Sequence, residues 1–396
     1  MPYSIPSEAR TKVRSAFRDQ SLALYLGAGV SVGSRLPSWE KLVVSMYFAT
    51  VSEQKMRGWR PYPNYLYAIS EWYLKRLSEP LEVTARKTRA LFKFDPKSEK
   101  HFRRAVQESL YGIDPRDQQV LPPPNTHANT TLQAVAELCQ RRHGDTFGVR
   151  SVVTYNYDNL LEIALNGGRA TQPIYSEDAL RAGKLPVFHV HGYVPHPDTV
   201  STEPSEIVFT EEEYNRVAID PYSWSNIVQI REMSNAVGLM VGLSLADRNI
   251  RRLLDALRRS PVKPEIYALM PRPDPAEVSD DDTLAIHEQA IELIDEFLGA
   301  GIKLDDPEPE SSGATRRRGR SAGVNSERLR QKSSSPVARR KSEARYSYEI
   351  RKIISHVHDL EQGFQEDVLR SLGVYPIWYD RHDEVPAILG EVMGAA

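Results

Sequence analysis

Leu22-Ala23-Leu24-Tyr25-Leu26-Gly27-Ala28-Gly29-Val30-Ser31 is the stretch whose reading decides the fold. Its first five residues are an unbroken apolar run of strand length closed by glycine, which predicts a buried strand. Gly27 and Gly29 then allow a tight turn. A buried strand running through a glycine turn into a helix is how a parallel α/β sheet opens, with ligand-binding groups gathered at the strand's carboxyl end.

Outward from this stretch, Ser7–Phe17 reads as an amphipathic helix. From Pro37 to about Gln140 the apolar positions recur at helical spacing, as in Tyr65–Leu77, Phe102–Leu110 and Leu132–Leu138, and strand signals are nearly absent. That block reads as a helical insertion beside the sheet. Strands and helices then alternate. Strands are expected at Val149–Thr154, Pro186–Val190, Val237–Val241, Pro264–Leu269 and Gly373–Tyr379. Helices are expected at Asp158–Leu165, Glu211–Val217, Trp224–Ser234, Asp247–Arg258, Leu284–Leu298 and Glu384–Val392. The alternation predicts an α/β fold: a doubly wound, mainly parallel, Rossmann-like sheet. Its organisation divides into residues 1–36, the start of the sheet domain; 37–145, the insertion; 146–304, the rest of the sheet domain; 305–345, a charged loop; and 346–396, a helix-strand-helix that closes the sheet.

The loop opens with Asp305, Asp306, Glu308 and Glu310 and then turns basic, with clusters at Arg316-Arg317-Arg318 and Arg339-Arg340-Lys341. It has almost no large apolar residues to offset its ordering entropy, so disorder is expected. A solvated connection is the plain reading; contact with nucleic acid or an acidic partner is the other.

Composition sets wider bounds. The chain has 396 residues, 40% of them apolar, enough for a large core, and a formal charge of -2, so its overall charge draws it to neither nucleic acid nor membrane. No apolar run approaches the roughly 20 residues of a membrane span. The start, Met1-Pro2-Tyr3-Ser4, lacks a signal-peptide pattern, which points to the cytoplasm. Cys139 is the single cysteine, which excludes an internal disulfide and any multi-cysteine zinc site.

Four polar or glycine-rich segments each close an apolar run. In the first, Gly27, Ala28 and Gly29 offer backbone to a diphosphate and Ser31 adds a hydroxyl, although a glycine turn can also be purely steric. The second is Thr154-Tyr155-Asn156-Tyr157-Asp158. Either Asn156 or Asp158 could cap the next helix, yet three alternating polar groups exceed what a cap needs. Asn156 both donates and accepts, so it can hold a ribose hydroxyl or orient a water.

The third segment is His189-Val190-His191-Gly192. The two histidines share a face if the strand continues through them. His191 lies last, where it could act as a base near neutral pH, while a buried structural role suits His189. The pair could also ligate metal, but no third ligand is evident. The fourth segment, Gly242-Leu243-Ser244-Leu245-Ala246-Asp247, mirrors the first across the pocket through Gly242 and Ser244. There Asp247 reads as a helix cap, and Arg251 and Arg252 as surface charge.

In this order the four segments resemble the sirtuin (silent information regulator) superfamily, over roughly Leu22 to Ser260, with the strand at Val374–Tyr379 as the closing element. The chain departs from the deacylases of that superfamily: it lacks their four-cysteine zinc module and has Pro37-Ser38-Trp39 in place of their proline-aspartate-phenylalanine. With Thr210-Glu211-Glu212-Glu213-Tyr214 and Ser244-Leu245-Ala246-Asp247, it is similar to the prokaryotic sirtuin-like branch of antiphage defence.

The resemblance implies an NAD+ glycohydrolase that releases nicotinamide and ADP-ribose and depletes NAD+, with NAD+ as substrate and no metal. It implies Asn156 and His191 as catalytic residues. Gly27, Ala28, Gly29, Ser31, Thr154, Asp158, Gly242 and Ser244 would hold the dinucleotide, with Asp158 able to steady a cationic ribose. A zinc-free protein deacylase and a silent nucleotide-binding module are the alternatives. As partners the resemblance implies a homo-oligomer and a HerA-type ATPase. Trp59, Tyr62, Tyr65 and Tyr67 of the insertion form a candidate interface, although core packing explains them equally well, and nucleic acid is reached only through the basic loop or indirectly.

Overall fold

Strand β1 (Leu22–Leu26) is buried along its whole length, and its alternation builds two cores. In the computed structural model Leu22, Leu24 and Leu26 enter one core and Ala23 and Tyr25 the other. A strand covered on both faces must read as a continuous apolar run, as this one does. Leu24→Ala would cost about 3 kcal/mol through lost burial and the cavity left behind.

The structure describes residues 5–55, 63–92, 98–111, 113–114, 119–120, 124, 126–166, 168–197, 199, 205–245, 247–272, 282–283, 285–286, 288–289 and 336–394. They divide into two compact units: residues 1–272 with 366–396, and residues 273–365.

The first unit holds a seven-stranded sheet. Besides β1 it contains β2 (Val149–Thr154), β3 (Thr171–Ile174), β4 (Leu185–His189), β5 (Val237–Val241), β6 (Glu265–Pro271) and β7 (Val374–Tyr379). Their order is β7-β6-β5-β1-β2-β4-β3, and every pairing is parallel. The chain leaves β1 toward β2 on one side and returns through β5 on the other. The strand order therefore reverses at β1, and the carboxyl ends of β2, β1 and β5 flank the crevice where such sheets hold ligands.

Helices cover both faces. Helix α1 (Ser7–Arg18), α6 (Thr130–Gln140) and the last helix pack on the face of Leu24. Helix α9 (Trp224–Asn235) and α10 (Arg248–Leu257) pack on that of Tyr25. The insertion contributes α2 (Trp39–Lys55), α3 (Pro63–Leu77), α4 (Leu81–Phe92) and α5 (Ser98–Tyr111). Between β2 and β5 lie α7 (Leu160–Ala164) and α8 (Glu211–Ile219), and α11 (Pro336–Ser371) and α12 (Val385–Met393) flank β7.

Four differences from the sequence reading have physical causes. Strand β3 carries a proline and a glutamine in four residues, which hides its strand signal, and it sits at the sheet edge where proline is tolerated. Two-residue hairpin strands occur at 113–114 with 119–120 and at 142–143 with 146–147. Helix α11 begins at Pro336 and so takes in the last ten residues of the expected disorder, 336–345. Its Ala, Arg, Lys and Glu content favours helix by intrinsic propensity. Strand β4 ends at His189, one residue before the expected end at Val190, so His191 lies in the following turn and the condition for a shared histidine face is not met.

Residues 305–335, most of the expected helix at 284–298, and Trp59 and Tyr62 lie outside the described residues. Tyr65 and Tyr67 are placed on α3 by their backbone alone. Among the described residues no helix is long and apolar enough to cross a membrane.

Candidate active site

Two glycine turns meet at the crevice. Gly27 N donates to Val241 O at 3.0 Å and Gly29 N to Gly242 O at 3.1 Å. A Cβ on Gly27 would stand 2.4 Å from Gly242 O, and one on Gly242, whose φ is +69°, would stand 2.6 Å from Val30 N. Backbones this close admit only glycine at both positions. Next to this contact Leu245 is buried with φ +56°, a left-handed conformation that costs a branched residue about 1–2 kcal/mol.

The segment after β2 is pinned from both faces. Tyr155 Oη donates to Gln229 Oε1 at 2.8 Å on one side of the sheet, and Tyr157 Oη donates to Val208 O at 2.7 Å on the other. The two tyrosines belong to different cores, which leaves Asn156 at the strand end. Asn156 Nδ2 donates to Gly27 O at 3.0 Å and to Ser31 Oγ at 3.1 Å. Its amide oxygen accepts no hydrogen bond among the described residues.

These elements surround a cavity of about 860 Å³. Nine of the ten residues expected at the site line it: Gly27, Ala28, Gly29, Ser31, Asn156, Asp158, His191, Gly242 and Ser244. Thr154 does not. Its hydroxyl accepts from Asn156 N at 3.1 Å, and it borders a separate void of about 10 Å³ behind the segment. Thr154 thus shapes the loop that carries Asn156 and does not reach the cavity. Asp158 serves both readings of it: Oδ1 accepts from Leu160 N at 3.1 Å at the start of α7, and Oδ2 accepts from Ser31 Oγ at 2.8 Å. Burial raises its carboxyl above the ordinary range, and the Ser31 and Leu160 bonds oppose that rise.

The two histidines separate completely. His189 is fully buried, with Nε2 2.8 Å from Glu162 Oε1 and Nδ1 3.3 Å from Asn156 O. His191 faces the cavity, its ring edge-on to Tyr155 at 5.2 Å and to Tyr214 at 5.4 Å. Its Nε2 lies 3.4 Å from Asp247 Oδ2. Burial lowers the imidazole pKa, while the Asp247 charge and a hydrogen bond to the Tyr155 backbone pull it back up. The balance favours a neutral ring whose protonated form has a carboxylate beside it, as a base requires.

Asp247 is more than the cap expected of it. Oδ1 accepts from Asn249 N at 2.8 Å and Ile250 N at 3.0 Å, while Oδ2 is left for His191. Tyr214 completes this group. The capping box of α8, in which Glu213 N donates to Thr210 Oγ1 at 3.4 Å and Glu213 Oε2 accepts from Thr210 N, sets Tyr214 in the first turn. Burial and Asp247 push its phenol pKa up. Asp247 closes the fourth segment, which was its sequence signal; Tyr214 closes the Thr210–Tyr214 stretch quoted for the resemblance, which gave it no site role.

The far wall comes from the insertion. Trp39 of α2, Leu81, Glu82 and Val83 of α4 and Leu110 of α5 line it, and Trp39 is anchored edge-on to Phe209 at 4.9 Å. Opposite them stand Arg248 and Arg252. Arg252 Nη2 is held by Asn249 Oδ1 at 2.7 Å, so it is a placed cation and no mere surface charge. From the closing segment His382 Nε2 lies 3.0 Å from Gly29 O, a contact across the whole chain that no sequence signal marked. Among the described residues no three His, Cys, Asp or Glu side chains group as a metal site.

Residues 150–294 match the family model of the SIR2-like domain. This places that region with the sirtuin-like superfamily. The match takes in Asn156, His191, Gly242 and Asp247 and stops short of the glycine turn at 27–31, which the insertion separates from it along the chain. The sheet order reunites them, since β1 lies between β2 and β5. A SIR2-like domain implies use of NAD+. No curated protein matches the chain.

Proposed function

We propose that this chain is an NAD+ glycohydrolase acting in the cavity at the carboxyl edge of the sheet. One observation carries the reading: Asn156 and His191 line the same cavity as the two glycine turns, with Asp247 beside the imidazole. Its volume lies within the range of nucleotide-sized sites. Gly27, Ala28 and Gly29 line it with no bulky side chain, which leaves room for a diphosphate to approach the backbone, and Ser31, Gly242 and Ser244 edge the same space.

In the reaction, the bond between C1′ of the ribose and the pyridinium nitrogen breaks. Its electron pair returns to the ring, so nicotinamide leaves neutral. The ribose becomes oxocarbenium-like, and the nearby Asp158 and Asp247 carboxylates favour that charge. Asn156, its amide nitrogen tied to Gly27 and Ser31, offers its oxygen to the attacking water. His191 takes the water's proton, Asp247 stabilises the imidazolium, and the proton then passes to solvent. Water's oxygen ends on C1′ as ADP-ribose.

The resemblance to the antiphage branch supports a role as an effector that depletes NAD+ in infected cells, as a homo-oligomer restrained by a HerA-type ATPase. Nicotinamide release from NAD+ by the purified chain, alone and with an acyl-lysine peptide, tests the chemistry. Peptide-independent release is expected. Strictly peptide-dependent release would make it a deacylase, and binding without release in every condition would make it a silent module.

A further inference from the structure

The opposite edge of the sheet carries a second cleft, of about 450 Å³. It lies where α10 ends, where the chain enters β6, and where α11 runs into β7. Arg258, Arg259, Lys263 and Arg370 line it, with Tyr375 also on its wall. Gly373, at φ +79°, makes the cleft possible. A Cβ there would stand 2.4 Å from Pro264 O, so only glycine lets the two entering loops meet backbone to backbone.

Its charges do not balance. Asp255 serves two cations at once, Arg258 at 2.9 Å and Arg259 at 2.7 Å. Glu366 holds Arg370 at 2.7 Å and also accepts from Trp378 Nε1 at 3.1 Å. Lys263 has no carboxylate partner among the described residues. Four cations face two carboxylates, an excess of two positive charges in a concave site. Arginines in the last turn of a helix or just past its end are commonly explained by the helix dipole, and that accounts for Arg370 in the last turn of α11 and for Arg258 and Arg259 directly after α10. It does not account for Lys263, which lies in the loop six residues past the end of α10. The aromatic wall is also prepared: the Tyr375 ring lies 5.5 Å from Tyr267 and 5.7 Å from the Arg370 guanidinium.

We propose that this cleft binds a phosphorylated small molecule, with its phosphate among Lys263 and the paired arginines and any planar group against Tyr375. Helix α10 joins the two ends of the sheet. Its ten residues span about 15 Å, from the Asp247 cap beside His191 to Arg258 and Arg259 at the cleft. An anion that draws the arginines from Asp255 acts on the helix whose other end holds Asp247. This coupling rests on the catalytic reading above; binding in the cleft does not.

The test is calorimetric titration of the full chain with pyrophosphate and, separately, ADP. Arg259→Glu with Lys263→Glu should weaken one binding event about tenfold or more, leaving any event at the glycine turns in place. Arg251→Glu, on the exposed face of α10 away from the cleft, should leave both unchanged. Tighter binding of ADP than of pyrophosphate would assign a nucleotide, and equal binding a free phosphate. An unchanged isotherm in the double variant overturns the site, as does equal weakening by Arg251→Glu. Should the double variant fail to fold by circular dichroism, Lys263→Gln in its exposed loop decides alone, with at least threefold weakening expected and none overturning the proposal. With binding established, a hydrolysis rate indifferent to pyrophosphate would remove the coupling only.

Discussion

Two sides of one short segment, residues 154–158, use the same residue types to opposite ends. Behind it Thr154, Asp158, Glu162 and His189 close around a void of about 10 Å³. In front, Asn156, His191 and Asp247 line a cavity of about 860 Å³. Each side pairs a histidine with a carboxylate, at 2.8 Å behind and 3.4 Å in front. The closed pair holds the Asn156 backbone through His189 Nδ1, and the looser pair leaves an imidazole facing the space where a ligand fits. Residue type does not decide which is chemistry and which is scaffold. The decisive fact is that β4 ends between the two histidines.

The contrast breaks most sharply under substitution. Asn156→Ala and His191→Ala should each lower nicotinamide release about a thousandfold while the folded circular dichroism spectrum is kept. A variant of either that turns over at the parental rate removes the proposed chemistry. His189→Ala should act through stability. It leaves the Glu162 carboxylate without its histidine, when Oε2 already has no partner. Unfolding in urea should show a loss of about 3 kcal/mol. If instead His189→Ala kept full stability and abolished turnover, the division between the two sides would be wrong.

Asp247→Asn sharpens the same comparison, because asparagine caps a helix as well as aspartate does. Stability should change little and kcat should fall about a hundredfold. The pH profile adds a sign. His191 must be neutral to act, and burial already lowers its pKa against the lift from Asp247. Removing that charge lowers the pKa further, so the acid limb of the rate profile moves to lower pH. Movement to higher pH would contradict the pairing. Gly27→Ala follows in size, with about 2 kcal/mol of destabilisation and a loss of NAD+ affinity measured by calorimetry, since its Cβ has no room beside Gly242 O.

Much of this was legible in residue order. Strands β1, β2 and β5 fall where apolar runs end in glycine or alternating polar residues, because burial on both faces forces continuous apolar sequence. The same logic marked nine cavity-lining residues. It misled at Thr154, whose hydroxyl is spent on its own loop; it assigned burial to His189 and the site to His191, as the structure places them, and missed only that the strand ends at His189 and not at Val190. Trp39, Glu82 and Tyr214 were given no site role for a different reason. They come from helices whose local pattern records only that they are amphipathic, and what they face is decided by how α2, α4 and α8 pack at the end of the sheet.

Tyr214 offers the finest test of that last point. It reaches His191 only because α8 starts where it does, and the start is set by the reciprocal bonds between Thr210 and Glu213. Thr210→Ala removes the hydroxyl acceptor while Glu213 still accepts from the backbone of Phe209 and Thr210. The expected loss of stability is about 1 kcal/mol. Fraying of the first turn should loosen Tyr214 from the imidazole, so kcat should fall severalfold and KM should move less. Thr210→Ser, which keeps the hydroxyl, should restore both values. A stability loss with no change in kcat would mean that Tyr214 merely fills space beside His191, leaving Asp247 and Tyr155 to orient the ring.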